Sequence, residues 1–330
     1  MKKYLLVVLS ILLFGASSLV AEVKELRFSR HYGLAYLPLI VLEDKQLIEK
    51  NAKAAGLGDI TVRWTTFGGG AQSNDALLSG SIDVVAYGIA PFIRVWDKTK
   101  GRVKSIGAVD QTPYFFNTSN PKVKSIRDLT QNDRIAVPAI KVSVQSLILQ
   151  IAAAKEFGID QYDKLDHLTV SLKHPDAYIA LTSGKSEITG HISYDPYHTL
   201  ELQDPNIHTV FNSYDIFNGN HASSIVATTQ AFYDNNPTLI DVIIKSLDEA
   251  NEWITNNKEE AAKSYLKISK SKEPLELIVK SLNNPGVVYS TTPQRSSIFS
   301  DFLYQTGAIK TKPESWKDLF FEKLHSKPGS

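Results

Sequence analysis

Apolar and polar positions along this chain fall into short blocks whose period switches between that of a strand and that of a helix. Glu25 to Tyr32 reads as a strand that runs into Gly33, and Leu37 to Ala54 has helical apolar spacing. Val62 to Phe67 is β-branched and aromatic, and Gly68 to Gly70 lets the backbone turn. Ala71 to Leu78 is again helical and closes at Gly80, before the short apolar run Val84 to Ala86. That run suits a parallel strand buried on both faces. The unit from Val62 to Gly88 thus brings the N–H groups of a helix start to the carboxyl end of a sheet. Such a place holds an anionic or polar ligand without a charged side chain.

The same alternation continues. Val103 to Val109 and Arg134 to Val137 read as strands, and Ser143 to Phe157 as a helix ending at Gly158. His167 to Leu172 is a strand, Asp176 to Ser183 a short helix closed by Gly184, and Glu187 to Tyr194 a strand. Two βα series in tandem predict two α/β lobes. The last third is helical, with a helix from Pro237 to Ile254 capped by Asn236. Helices are also expected over Glu259 to Ile268, Glu273 to Leu282, Pro293 to Tyr304 and Glu314 to Leu324.

The first 21 residues carry a different signal. Lys2 and Lys3 precede an apolar run from Tyr4 to Phe14, then small residues from Gly15 to Ser18 and Ala21. This is the pattern of a secretory signal peptide cleaved after Ala21 or Ser18, so export to the periplasm is expected. The formal charge is +1, and losing Lys2 and Lys3 takes it to −1, a balance that does not point to nucleic acid or an anionic membrane. There is no cysteine, which excludes thiol catalysis, cysteine-ligated clusters and a lipid-bearing cysteine at the cleavage point.

No paired carboxylates, nucleophile–base pair or Gly-x-Ser-x-Gly elbow is found, so binding is expected and not catalysis. Asp195 in Tyr194-Asp-Pro196 reads as the cap of a following helix. His31 and His221 fall at loop positions without metal-ligand spacing, which leaves stacking on a ligand, hydrogen bonding to it, or for His221 a plain surface position. No metal and no cofactor are expected. Gly69, Gly70 and Ala71 could donate backbone N–H groups, with Gln72 adding an amide contact or capping the helix. Tyr32, Tyr87, Tyr114, Tyr194 and Tyr197 could line a cleft with flat apolar faces.

Four segments carry a family resemblance: Leu26-Arg-Phe-Ser-Arg-His-Tyr-Gly33, Phe67 to Asp83, Tyr87-Gly-Ile-Ala-Pro91 and Tyr194-Asp-Pro196. In this order the chain resembles the aliphatic sulfonate, taurine and nitrate solute-binding proteins of bacterial ABC transporters, with their thiamine-pyrimidine-binding relatives. The resemblance implies a type II periplasmic binding protein of two lobes, each a sheet flanked by helices, with a helical C-terminal tail. Residues 22–113 and 213–330 would form lobe one and 114–212 lobe two, with crossings in Val103–Gln111 and Thr209–Ala227. A small organic solute, first of all an organosulfonate, would be caught by hinge closure; a small aromatic is the alternative. The partner would be an inner-membrane permease or a sensor, and the receptor a monomer. The implied cleft takes in His31, Tyr32, Gly33, Gly88, Gln111, Ser143, Tyr194 and His221 beside the glycine turn. Where relatives carry a hydroxyl or acidic residue, this chain has Ile89 and Ala90, which makes that wall more apolar. Where they carry Lys-Gly-Ser, it has Lys141-Val-Ser143, leaving Lys141 either a ligand charge or a solvated side chain.

Overall fold

The computed structural model describes residues 22–330; the expected signal peptide lies outside them. Strand β1 (Glu25–Arg30) leads into α1 (Leu37–Lys45) and α2 (Leu47–Ala54). The single helix read from the sequence is therefore two, broken where Gln46 adopts a left-handed conformation at φ 52°. Then follow β2 (Thr61–Thr66), α3 (Gly70–Leu78), β3 (Val84–Gly88), α4 (Ile89–Lys98) and β4 (Val103–Gln111). The segment after β3, read from sequence only as a cleft wall at Ile89 and Ala90, forms α4. It is a helix because Ile89, Phe92, Ile93 and Trp96 place one apolar stripe on the core at three- and four-residue spacing.

The second series comprises β5 (Phe115–Thr118), β6 (Ile135–Val137), α5 (Val144–Phe157), β7 (Thr169–Ser171), α6 (His174–Thr182), β8 (Gly190–Ser193), α7 (Tyr197–Glu201) and β9 (His208–Asn212). After α8 (Ser213–Phe217) and β10 (Ser224–Thr229) come α9 (Gln230–Asn235), α10 (Pro237–Asn256), α11 (Lys258–Ser269), α12 (Leu275–Leu282), β11 (Val288–Tyr289) and α13 (Ser297–Gln305). The stretch expected as a last helix, Glu314 to Leu324, holds only two short 3₁₀ turns, at Trp316–Leu319 and Glu322–Leu324.

Two sheets result. The first has the order β11-β4-β10-β3-β1-β2, the second β7-β6-β8-β5-β9. Here lobe one means the first sheet with its helices, and lobe two the second. β1 runs parallel to β2 and β3, while β10 is antiparallel to both β3 and β4. The chain leaves the first sheet after β4 and re-enters it at β10. Residues 103–111 and the two ends of 209–227 are thus strands, and the crossings are the shorter segments 112–114 and 213–223.

The two crossings are tied to each other. Ser213 N–H donates to Tyr114 O at 2.7 Å, and Tyr114 N–H donates to Ser213 Oγ at 2.9 Å. The helical tail packs on lobe one. Asn51 of α2 donates to Ser246 Oγ at 2.9 Å, and Ser264 and Lys267 of α11 both reach Asp44 at 2.7 Å. The apolar face of α5, Val144, Leu147, Ile148 and Ile151, joins the core cluster of lobe one. The lobes therefore stand closed on one another. Among the described residues no helix is long and apolar enough to cross a membrane.

Candidate functional site

Four helices begin at the seam between the lobes. α3 and α4 start there from lobe one, at Gly70 and just after Gly88. α5 and α6 start there from lobe two, at Ser143–Val144 and at His174. Residues from all four starts line one small cavity of about 20 Å³. Each helix has eight or more residues and points its positive dipole end here, though the free N–H groups are unequal: α3 and α5 offer the most, α6 has Pro175 in its first turn, and at α4 Ile89 N–H already donates to Ser223 O at 2.8 Å while Pro91 has none. Ser143 caps α5, its Oγ accepting from Ser146 N–H at 3.3 Å. Among the residues lining the cavity there is no lysine or arginine.

The remaining wall is aromatic and hydrogen-bonded. His31 Nε2 lies 2.8 Å from Ser73 Oγ, and burial pushes the His31 pKa down to about 4, so its ring is neutral at pH 7. Tyr194 meets Tyr114 edge-on, with ring centroids 5.0 Å apart, and its hydroxyl donates across the seam to Tyr32 O at 2.7 Å. Leu34 N–H reaches Asp195 O across the same seam at 2.8 Å. Burial raises the pKa values of Tyr36, Tyr114 and Tyr194, which keeps them as neutral phenols.

Of the residues expected from sequence, His31, Tyr32, Gly70, Gly88, Ser143 and Tyr194 are brought together on this cavity. Gly33 lies on a larger open cleft of about 670 Å³ that shares His31 and Tyr32 with it and adds Arg30, Tyr178, Tyr197 and Tyr265. Gly69, Ala71 and Gln72 line a shallow groove on another side, and Gln72 Oε1 accepts from Gly68 N–H at 3.2 Å. Gln72 therefore braces the glycine turn.

Several residues stand elsewhere than expected. Ile89 and Ala90 are wholly buried in the lobe-one core and line none of these spaces, because the helix they start turns them inward. Lys141 is exposed, in a left-handed conformation at φ 62°, and its ammonium lies 3.7 Å from Asp166. It does not reach the cavity and is a solvated surface lysine with one ion-pair partner. His221 is fully buried and not on the surface; it is 2.9 Å from Ser213 Oγ and 2.7 Å from Ser223 Oγ, inside the crossing. Gln111 accepts from Asn220 at 2.6 Å and is likewise a crossing contact. Asp195 takes the capping role, accepting from Thr199 N–H at 3.2 Å and Oγ1 at 2.7 Å. Of the five tyrosines, Tyr87 packs behind Gly70, its hydroxyl buried and without a partner among the described residues.

Tyr36, Gln145 and His174 line the cavity and were not singled out from sequence. A signal for His174 was present: it directly precedes Pro175 at the start of the short helix after β7, at the carboxyl edge where β3 and β6 also end. Its partners come from separate strands, and that pairing is not visible in any local pattern.

Asp110 sits where the crossings meet, accepting from Ser224 N–H at 3.0 Å and from the Thr112 hydroxyl. Burial outweighs these bonds and lifts its pKa to about 7. An acid whose folded pKa is raised contributes stability below its unfolded pKa of about 4 and loses it as pH rises through about 7. Asp110→Asn should therefore gain on the native protein by a few kcal/mol between pH 5 and 7.5 (roughly 1.4 kcal/mol per pKa unit). Urea midpoints of both proteins at the two pH values measure this; a difference that stays constant with pH would contradict it.

The comparisons with known proteins fall in line with this architecture. The alkanesulfonate-binding protein SsuA from Xanthomonas axonopodis pv. citri, bound to MOPS, is similar at 18% identity and a TM-score of 0.71, over 88% of this chain and 96% of that one. The chain has the periplasmic-binding-protein fold. The periplasmic aliphatic sulphonate binding protein SsuA from Escherichia coli matches at 18% identity and a TM-score of 0.67, over 91% and 93% of the two chains. The periplasmic nitrate-binding protein NrtA from Synechocystis PCC 6803 matches at 15% identity and 0.66, over 90% and 84%. A family model described as NlpA lipoprotein matches residues 39–153. This sequence has no cysteine, so that likeness does not bring a lipid-bearing cysteine with it. No curated protein matched the sequence.

Proposed function

We propose that this protein is the solute receptor of an ABC import system, exported to the periplasm, which captures a small organic anion between its lobes and hands it to a membrane permease. The observation that carries this is the convergence of four helix N-termini on one interlobe cavity. Each favours negative charge by about 0.3–1 kcal/mol, more where water is excluded. An organosulfonate suits this chemistry, its oxygens toward the N–H groups and its substituent toward the tyrosines, provided the lobes part to admit it, since the cavity as it stands has room for little more than a water. Binding without catalysis is the reading here, since the chemistry of the wall is hydrogen bonding by neutral groups. The receptor acts as a monomer, with lobes at 22–113 with 213–330 and at 114–212 closing about the paired crossings.

A small heteroaromatic solute is the second reading, favoured by the same wall: it is aromatic and has no lysine or arginine. A thermal-shift panel of taurine, longer alkanesulfonates, nitrate and a 4-aminopyrimidine separates the two. A ligand at a hundred times its Kd should stabilise the native state by about 2.7 kcal/mol. Native mass spectrometry of the purified protein reports any co-purifying solute. No shift with any compound and no bound small molecule would sink the receptor reading.

A further inference from the structure

Behind the cavity wall in lobe two runs a buried chain of four polar side chains. Gln145 Nε2 lies 2.8 Å from His174 Nε2, His174 Nδ1 lies 2.8 Å from His191 Nε2, and His191 Nδ1 lies 2.5 Å from Glu201 Oε1. Glu201 and His191 are wholly buried, and His174 and Gln145 are 4% and 5% exposed. Glu201 Oε2 also takes Asn117 Nδ2 at 2.8 Å and Ser193 Oγ at 3.4 Å. Asn117 is held in that orientation because its Oδ1 accepts from Thr209 at 2.8 Å.

These bonds have a direction. Three donors converge on Glu201, which suits an ionised carboxylate that only accepts. His191 must then carry its proton on Nδ1, and when neutral it offers Nε2 as an acceptor. His174 accordingly donates from Nδ1 and accepts at Nε2 from the Gln145 amide. Each ring is fixed by the next, as a carboxylate fixes a histidine tautomer elsewhere. At the cavity end, the Gln145 carbonyl oxygen has no partner among the described residues.

We propose that Gln145 is the specificity-determining contact of the interlobe site, that Glu201, His191 and His174 position its carboxamide with the carbonyl toward the cavity, and that the site selects a solute presenting an N–H or O–H donor there. This rests on the receptor reading above. A solute that can only accept hydrogen bonds reverses the chain. His191 then carries a second proton, on Nε2, and donates that N–H to His174 Nδ1; His174 holds its own proton on Nε2 and donates it to the Gln145 carbonyl, and the carboxamide turns its NH₂ to the cavity. That state holds one proton more, so an anion without a donor binds together with one proton. The other titratable groups around the chain do not supply this proton. His31 faces His174 from lobe one and His198 lies beyond Asn117, and burial holds both pKa values down to about 4. Tyr194 and Tyr197 pack on the His174 ring and Tyr178 lies beside them, all with pKa values raised by burial. Lys173 is paired with Asp176 at the surface, at 3.5 Å.

The test begins without ligand. Long-range ¹H–¹⁵N spectra of ¹⁵N-histidine-labelled protein at pH 7, assigned with His174→Gln and His191→Gln, should show both rings as Nδ1–H tautomers. An Nε2–H tautomer at His174 overturns the proposal whether or not any solute binds. Calorimetry in two buffers of different ionisation enthalpy then compares taurine with ethanesulfonate, which differ by one amino group. Ethanesulfonate should bind with uptake of a proton and tighten as pH falls, and taurine with none. Gln145→Met should abolish the difference. Equal, pH-independent binding of both overturns the proposal. Binding of neither, with the tautomers as expected, counts against the receptor reading and leaves the positioning of Gln145 standing.

Discussion

Gly88→Ala is expected to weaken solute capture about thirtyfold while leaving both lobes folded. Gly88 has ordinary extended dihedrals, φ −65° and ψ 147°, so alanine fits the backbone. The obstacle is the other lobe: a Cβ at Gly88 would stand 2.6 Å from Val144 Cγ2 at the start of α5. Val144 is β-branched on a helix and has little rotamer freedom to retreat. Overpacking of this kind costs about 1–3 kcal/mol, and here the cost falls on the closed state alone. About 2 kcal/mol corresponds to the thirtyfold loss. Gly88→Ala with Val144→Ala should recover most of the affinity, because the second change removes the clashing methyl. Calorimetry gives the affinities, and small-angle scattering the loss of ligand-induced compaction. A normal affinity for the single variant would show that the lobes need not approach this closely.

Gly70→Val is expected to act differently, lowering stability by about 3 kcal/mol with or without solute. From sequence alone, Gly70 reads as a place where a ligand approaches the backbone. In the fold, a Cβ there would collide with Pro91 Cγ and stand 2.6 Å from Pro91 Cβ, both within lobe one. Pro91 cannot rotate away, since its ring is fixed in α4. The clash is therefore present in the open and closed states, at the upper end of overpacking costs. Urea denaturation of the ligand-free variant measures it. An unchanged midpoint together with lost binding would return Gly70 to a purely ligand-facing role.

The contrast between these glycines marks the limit of what a local pattern tells. Strand β3 and helix α3 were legible because each is specified by its own period: Val84 to Ala86 is uniformly apolar, and the helix starts at a glycine turn. Strands β5, β9 and β10 were not, since their pairing is antiparallel and distant in sequence, Phe115 with Asn212 and Ser224 with Gly88. The same holds for the α4 helix, whose starting residues Ile89 and Ala90 read as cleft wall until the helix turned them into the core.

By itself the sequence determined the α/β class, the tandem βα series, and the glycine turn and Ser143 that open two of the four helices at the seam, because capping residues and hydrophobic period act over a few neighbours. It also settled that no cysteine chemistry operates here. The tertiary structure decided what shares the cavity. It placed Lys141 beside Asp166 and buried His221 between Ser213 and Ser223. It also joined Gln145, His174, His191 and Glu201, which come from α5, α6, β8 and α7, into one buried chain. A buried polar group must find its partner wherever the fold brings one, and that partner is set by the packing of elements and not by distance along the chain.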